Sequence, residues 1–543
     1  MTAQRVCVVG GGASGVGLIW CLARARQLGL TKEAWQITLL HDDAALGGHS
    51  LSHPVTMNGQ TVHLDLGVQL IAPAMYPAVS SMLALPDFAP VALDPVSLRI
   101  ACAFPSVNGV HPYWGNYGTC QGTSLYASGA TDCATFEQLL NAQHVAMNDP
   151  FGWVLSLQDL LESHRKDFDD LDRFEQFFLD PYMSIMNGYG AALLQEVLLA
   201  DIAPLFDLKL ASLTSETTGF ARFRDGANSW VQRMADLAQA HFGPALDVRC
   251  GSKVTALTSR DASGFPSVAW TDTATGQGHT EQFDVVISTV EMRTLAGLLK
   301  NDARWPFYAQ YVGEQKTYGT TVWDLQPGFC YLHQDKNVLV DVGSGYTETL
   351  QFTAPDMCAT TTGGYDLTQT FTTYIESNLL GIALTNPAEE CYLTMYGFDP
   401  ATVPGLPVPD PTKVLTQMQW EHGMWLPSFM VTPKMAFHTA QGISPHVRGR
   451  PGQQDTGIFF AGNNLTMDSE EGAFVSAMAL VHYLFDIDAP RLVSSGDTKA
   501  DALALGEYHL LRGMMFPPLV VDLAKQAVTG AKSFFAFLGS LIP

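Results

Sequence analysis

The sequence predicts an α/β protein in which a parallel-sheet domain is interrupted twice by a second domain of α+β type. Three observations predict it. A glycine-rich turn follows a short apolar run near the start of the chain, two strand-like blocks recur much later, and the stretches between them are aromatic and rich in Gly, Pro, Asn and Thr. A chain of 543 residues is long enough to bury two hydrophobic cores.

The first β-α-β unit is predicted at the N-terminus. Residues 6–9 form an apolar run typical of a buried strand, residues 16–25 have a helical pattern, and residues 36–40 form a second strand. The turn after the first strand carries the GxGxxG pattern, at Gly10, Gly12 and Gly15. These glycines permit a tight turn, close approach of a pyrophosphate and close helix–strand packing. The unit therefore predicts a Rossmann-type dinucleotide site, without separating FAD from NAD.

Later blocks complete this domain. Residues 253–257 and 284–288 predict two strands, and residues 457–462 predict a third that leads into a helix from about 471 to 485. We expect the segments of the dinucleotide domain to be 1–93, 205–300 and 442–495. The inserted substrate domain is expected to comprise 94–204 and 301–441.

The C-terminal segment, 496–543, mixes apolar positions at helical spacing with charged residues, which predicts an amphipathic helical segment rather than a membrane span. For its last part, 514–543, two interpretations remain open, docking on the protein's own surface and peripheral contact with a membrane. Because the chain reaches its first strand without the pattern of a signal peptide, we expect a cytoplasmic location.

Composition excludes some classes of partner. A formal charge of −24 opposes nucleic-acid binding, which relies on Lys and Arg. The nine cysteines form no CxxC pair, so buried thiols are expected at Cys7 and Cys21, and no metal site is predicted. Cys102, Cys120 and Cys133 are the candidates for pairing in an oxidising compartment.

The end of the second strand departs from the usual Rossmann pattern. An acidic residue is expected there to bind the ribose hydroxyls. The strand is followed instead by His41, with Asp42 and Asp43 next. Either His41 or Asp42 is a candidate for the ribose contact.

Motifs at both ends of the chain carry a family resemblance. Gly47-Gly48-His49-Ser50 follows the second strand, Asp65-x-Gly67 comes next, and 459–464 with 470–477 form a closing strand-turn-helix motif. With these motifs the chain resembles the FAD-dependent amine oxidase, phytoene desaturase and protoporphyrinogen oxidase superfamily, and within it the bacterial predicted NAD/FAD-binding oxidoreductases with a GGH motif. The resemblance implies FAD as the cofactor, and a Rossmann-type FAD-binding domain with an inserted α+β substrate domain.

The resemblance also implies a set of cofactor-binding residues. The residues expected at the pyrophosphate are Gly10, Gly12, Ala13, Ser14 and Gly15. Four further residues are expected beside the phosphates: Gly47, Gly48, His49 and Ser50. Gly67 and Val68 are expected near the isoalloxazine, Val254 at adenine, and Gly462, Asn463, Gly472 and Ala473 at the ribityl and pyrimidine side. His49 stands where classical amine oxidases have arginine, so it either contacts phosphate or bonds to backbone as a neutral imidazole.

The function implied is an FAD-dependent oxidoreductase that abstracts a hydride from a largely apolar organic substrate. Because no second Rossmann fingerprint is present for NAD(P)H, oxygen or another external acceptor is expected. The alternatives are a redox-neutral double-bond isomerase of an unsaturated fatty acid or similar lipid, and a non-catalytic flavin-binding protein. Asn463 and Asn464 stand where part of an amine oxidase's aromatic cage is expected, so an amine substrate is not implied.

No catalytic residue is predicted. Glu421 and His422 lie among aromatics in 419–425, where they could move protons at a flavin, although core packing is the more usual role of such a stretch. Core packing is likewise expected for Tyr182, Tyr189 and Tyr311.

Overall fold

The computed structural model describes most of the chain. The described residues are 3–117, 129–143, 157–187, 202–203, 205–206, 208–260, 264–302, 323–342, 345–360, 365–425, 456–463 and 469–515. Tyr189, Tyr311, Cys120 and Asn464 therefore lie outside the part considered below.

The chain begins with a β-α-β unit, and most later strands come in runs separated by one or more helices. The strands are β1 (Gln4–Val9), β2 (Trp35–Leu40), β3 (Ser52–Met57), β4 (Gln60–Asp65), β5 (Leu93–Leu98), β6 (Ile100–Ala103), β7 (Tyr113–Gly115), β8 (Thr217–Phe223), β9 (Leu246–Arg249), β10 (Ser252–Thr258), β11 (Ser267–Asp272), β12 (Gly278–Gln282), β13 (Val285–Ser288), β14 (Trp323–His333), β15 (Leu350–Thr353), β16 (Phe371–Ile375), β17 (Tyr392–Tyr396), β18 (Val414–Trp425) and β19 (Ile458–Phe460). The helices are α1 (Ala13–Gln27), α2 (Pro77–Leu83), α3 (Gly129–Gln143), α4 (Leu157–Ser163), α5 (Leu171–Phe174), α6 (Asp180–Asn187), α7 (Asn228–Phe242), α8 (Met292–Leu299), α9 (Glu376–Leu380), α10 (Glu470–Phe485) and α11 (Thr498–Met515).

A five-stranded parallel sheet confirms the predicted Rossmann-type unit. Its order is β19-β13-β1-β2-β9, and each neighbouring pair is parallel. Residues 6–9 of the central strand β1 are at most 2% exposed, which is the pattern of a strand covered on both faces. The carboxyl ends of β1, β13 and β19 meet at one edge of the sheet, where ligands bind in such folds.

A second, seven-stranded sheet confirms the α+β element. Its order is β18-β14-β17-β16-β15-β6-β7, and all pairs are antiparallel except β15 with β6. Its strands come from residues within the two predicted insertions. Helices α3 to α6 pack on this side of the molecule, and a single π-helical turn, Glu175–Leu179, joins α5 to α6.

The hydrophobic core divides into two large clusters, as expected for a chain of this length. The first surrounds the parallel sheet, α1, α7 and α10. The second surrounds the seven-stranded sheet and α3 to α6, and it also contains residues from β3, β4 and β8. The domain boundaries given above therefore remain a prediction, because the second core draws on segments that were assigned to the dinucleotide domain.

Buried thiols are found where the sequence predicts them. Cys7, Cys21, Cys102 and Cys133 are free, buried thiols, and burial raises the pKa of each. Helix α11 contacts α2 and α10, whereas residues 516–543, which make up most of the segment 514–543, lie outside the described residues. Among the residues that the structure describes, no helix is long and apolar enough to cross a bilayer.

Candidate functional site

A cavity of about 700 Å³ lies between the carboxyl edge of the parallel sheet and the seven-stranded sheet. One end is formed by the glycine-rich turn, the residues after β2, the loop after β13 and the start of α10. The other end is formed largely by apolar side chains of the second core. The cavity therefore joins the predicted dinucleotide site to the predicted substrate domain.

The glycine-rich turn is shaped by steric contacts. Gly10 has φ +108°, and a Cβ at Gly15 would lie 1.9 Å from the Gly10 carbonyl oxygen. A Cβ at Gly12 would make only ordinary van der Waals contacts, with the Gly47 carbonyl oxygen at 3.7 Å and Gly48 Cα at 3.8 Å. Gly12 caps α1 without a side-chain hydrogen bond, and the first turn contains no acidic residue. The free amides and the helix dipole make this N-terminus a site for an anion.

The first turns of α1 and α10 are bonded to each other beside the cavity. Ser14 Oγ donates to the carbonyl of Ala473 at 2.6 Å, and Ser476 Oγ donates to the same carbonyl at 2.7 Å. The Gly462 amide donates to Ser476 Oγ at 2.8 Å. The Ser14 hydroxyl and the Gly462 amide are thus engaged within the protein, although both residues line the cavity.

Both ring nitrogens of His41 contact backbone groups. Its Nδ1 accepts from the Gly11 amide at 3.3 Å, and its Nε2 lies 3.0 Å from the Ala45 carbonyl, to which only a protonated nitrogen can donate. The imidazole is 5% exposed, whereas the side chains of Asp42 and Asp43 are 61% and 73% exposed at the cavity. Of the two ribose candidates, Asp42 is therefore the one whose side chain remains accessible.

The loop after β2 closes over the glycine-rich turn. The Gly47 amide donates to the Gly11 carbonyl at 3.0 Å, and Gly48 has φ +57°. A Cβ at Gly67 would lie 2.1 Å from the His49 carbonyl oxygen, which explains the glycine of the Asp-x-Gly element. The His49 ring faces Glu291, with Nε2 3.8 Å from Oε1. This arrangement places a titratable pair where the related motif has arginine.

Of three neighbouring buried carboxyl groups, Glu470 lines the cavity, and Asp65 and Glu471 lie outside its lining. Asp65 accepts hydrogen bonds from Ser52 Oγ at 2.6 Å and from the Ala227 amide at 2.7 Å, and burial raises its pKa to about 6. Burial raises the pKa of Glu470 to about 7 and that of Glu471 to about 8. At neutral pH these groups carry less negative charge than exposed carboxylates would.

Most of the predicted cofactor residues line this one cavity. They are Gly10, Gly12, Ala13, Ser14, His41, Asp42, Gly47, Gly48, His49, Ser50, Gly67, Val68, Gly462, Asn463 and Ala473. Three do not line it. Gly15 packs α1 against the turn, the Gly472 amide donates to Ser469 Oγ at 3.0 Å to cap α10, and Val254 lies in β10 against the first core.

Several lining residues were not predicted. Four of them follow β13, at the sheet edge that also holds Gly10: Thr289, Val290, Glu291 and Thr294. Because ligands bind at the carboxyl ends of parallel strands, the predicted strand before these residues could have indicated them. The far end is formed by Leu98, Ile185, Leu205, Phe220, Leu350, Tyr374, Met395, Met418 and Gln419. No local pattern distinguishes these from ordinary core residues. Tyr182 is indeed core, and its hydroxyl accepts from the Ser212 amide at 3.1 Å.

The sequence profile of the flavin-containing amine oxidoreductases matches residues 22–314. The chain belongs to the flavin-containing amine oxidoreductase family. Its cofactor is accordingly FAD, and it is an FAD-dependent oxidoreductase. Among curated proteins, no sequence matches the chain.

Solved structures of the same superfamily share the fold of this flavin-containing amine oxidoreductase. Wild-type putrescine oxidase bound to putrescine is 12% identical, with a TM-score of 0.51, over 89% of this chain and 99% of that chain. Cyclohexylamine oxidase from Brevibacterium oxydans IH-35A is 11% identical, with a TM-score of 0.50, over 93% and 99%. At such low identity the similarity concerns the fold alone.

The cavity of this family member fits FAD on three structural grounds. The N-terminus of α1 lacks a side-chain cap, its first turn contains no acidic residue, and the apolar far end adjoins the dinucleotide end. If FAD binds here, the amides at the start of α1 would hold its pyrophosphate, and the flavin would supply redox chemistry that the side chains lack.

Proposed function

We propose that this protein oxidises a largely apolar organic substrate by removal of a hydride from carbon, with oxygen or another external acceptor taking the electrons. The observation that carries the proposal is the distribution of charge in the cavity. Among the described lining residues, the charged or titratable groups apart from tyrosine gather at the dinucleotide end, at His41, Asp42, Asp43, His49, Glu291 and Glu470. The far end has none, so it favours apolar groups.

The chain's own residues hold and orient the reactants. The amides at the start of α1 bind the pyrophosphate, and Asp42 is accessible for the ribose hydroxyls. Bound FAD supplies a two-electron acceptor, which the side chains lack. Leu350, Met395 and Met418 exclude water from the far end.

Two polar groups at the far end give the substrate an orientation. Tyr374 is buried against the cavity, and its hydroxyl has no hydrogen-bond partner within the described ranges. Gln419 also lines this end. A substrate with an apolar body and one hydrogen-bonding group fits this arrangement better than a diamine, because a second ammonium group would lose its hydration without gaining a carboxylate.

A redox-neutral isomerase acting on an unsaturated lipid is the second candidate. The observation that favours it is the presence of Met75, Met395 and Met418 in the lining, because flexible thioethers adapt to an alkyl chain. An isomerase would give a product of unchanged mass without consuming oxygen. A non-catalytic flavoprotein would contain FAD but turn over no substrate.

The experiment is anaerobic mixing of the purified holoenzyme with a substrate panel while the flavin absorption is followed. The panel contains apolar alcohols, saturated and unsaturated fatty acids, monoamines and diamines. We expect bleaching by apolar compounds and reoxidation when oxygen is admitted. Bleaching by diamines alone would contradict the apolar assignment, and rapid bleaching by NADPH would contradict the external acceptor.

A further inference from the structure

Two adjacent carboxyl side chains at the start of α10 point in different directions. Glu471 accepts hydrogen bonds from the amides of Ala78 at 2.7 Å and Val79 at 2.8 Å, so it fastens the start of α2. Glu470 lines the cavity instead, although it is only 4% exposed. Of the two, Glu470 is the one placed to meet a ligand.

The two oxygens of Glu470 differ in their partners. Oε1 accepts a hydrogen bond from Ser50 Oγ, which belongs to the 3₁₀ turn after β2. Oε2 has no partner in the part of the chain that the structure describes. Because Glu470 lines the cavity, this oxygen leaves a hydrogen-bonding position for whatever occupies the cavity.

The surroundings of Glu470 favour a neutral carboxyl group. Burial is the largest cause of its raised pKa, the nearby Asp65 raises it further, and the Ser50 hydrogen bond lowers it. The other titratable groups that border Glu470 or share its cavity are Glu471, His41, Asp42, Asp43, His49 and Glu291, together with the phenols of Tyr76 and Tyr374. A pyrophosphate at the start of α1 would add negative charge to this set and favour the neutral form still more.

We propose that Glu470 binds FAD as a neutral carboxylic acid, with Oε2–H donating a hydrogen bond to an acceptor atom of the cofactor while Ser50 holds Oε1. The inference rests on the placement of FAD in this cavity. Where Glu470 is ionised in the flavin-free protein, one proton is taken from solvent as FAD binds, and it returns to solvent when FAD leaves. FAD affinity is therefore coupled to pH through this side chain.

The test follows FAD release from diluted holoenzyme, by the rise in flavin fluorescence, between about pH 6 and about pH 9. We expect the Kd of the wild type to rise with pH above about 7, by up to about tenfold per pH unit. In Glu470→Gln, which keeps a donor but cannot ionise, this rise is lost. Glu376→Gln is the matched control, because Glu376 is equally buried and has a raised pKa but does not line the cavity.

A second variant tests the proposal even if Glu470→Gln does not fold. Ser50→Ala removes the hydrogen bond that favours ionised Glu470, so the rise in Kd should begin at higher pH than in the wild type. A wild type whose Kd does not change with pH, or a Glu470→Gln variant that keeps the wild-type slope, would overturn the proposal. A purified protein without FAD would instead contradict the proposed function.

Discussion

The Ser14 hydroxyl, in the first turn of α1, donates a 2.6 Å hydrogen bond to the Ala473 carbonyl in the first turn of α10. The two residues lie near opposite ends of the chain. The bond brings two helix N-termini to one cavity, so two positive dipole ends face the end of the cavity that we assign to a pyrophosphate. The dinucleotide site is therefore completed only when the C-terminal part of the chain has docked.

Removal of this bond should weaken both folding and cofactor retention. Ser14→Ala is expected to lower the free energy of unfolding by about 1 kcal/mol, because one hydrogen bond is lost while Ser476 still satisfies the carbonyl. It should also lower the FAD content after dialysis. Ser163→Ala is the control, since it removes a 2.7 Å hydroxyl-to-carbonyl bond on an exposed helix end. Equal FAD loss in both variants would contradict the role of Ser14.

The third glycine of the fingerprint should tolerate no side chain. In Gly15→Ala the new Cβ would lie 1.9 Å from the Gly10 carbonyl oxygen, so the turn must shift and FAD should not be retained. Gly297→Ala is the control, because a Cβ on this exposed helical glycine meets nothing within 4 Å. That variant should gain up to about 1 kcal/mol of stability. FAD content and thermal unfolding measure both effects.

Buried carboxyl groups should make the protein less stable as the pH rises. Burial raises the pKa of Glu376 to about 8, and its Oε1 is without a hydrogen-bond partner. Because the folded pKa lies above the ordinary value, the stabilising contribution is present below about pH 4.5 and is lost as the pH rises through about 8.

Glu376→Gln should therefore match the wild type at about pH 5 and exceed its free energy of unfolding by roughly 2–4 kcal/mol at about pH 8. Urea unfolding at both pH values measures this, with the exposed Glu33→Gln as the control. A variant less stable than the wild type at both pH values would show that Glu376 is ionised and paired in the folded protein.

A charge at the far end of the cavity should impair turnover of apolar substrates without displacing the cofactor. Met395→Glu is expected to lower kcat/KM at least tenfold for a substrate found in the panel, because a carboxylate there must be desolvated when the substrate binds. Met357→Glu is the control, since Met357 is 39% exposed and does not line the cavity. An unchanged kcat/KM in Met395→Glu would show that the substrate binds at another surface.

The sequence predicted those parts of the site whose chemistry is local. The turn from Gly10 to Gly15 could be identified because its glycine spacing follows a strand and precedes a helix, and because Gly10 (φ +108°) and Gly15 meet local steric requirements. The ribose contact could not be assigned, because the direction of the His41 ring depends on Gly11 and Ala45. From the sequence, Glu470 could be assigned to the closing motif but not to a hydrogen bond, because its partner Ser50 lies 420 residues away. The far end of the cavity escaped prediction because its residues, such as Leu350 and Met395, are brought together by sheet packing alone.

The most direct test of the central claim is identification of the chromophore in the purified full chain. The visible absorption spectrum is recorded first, and the chromophore is then released by heat and identified by mass. The account predicts a flavin spectrum and about one FAD per chain, with FAD lost in Gly15→Ala and retained in Gly297→Ala. A colourless protein that gains no flavin on reconstitution would contradict the assignment of this cavity to FAD.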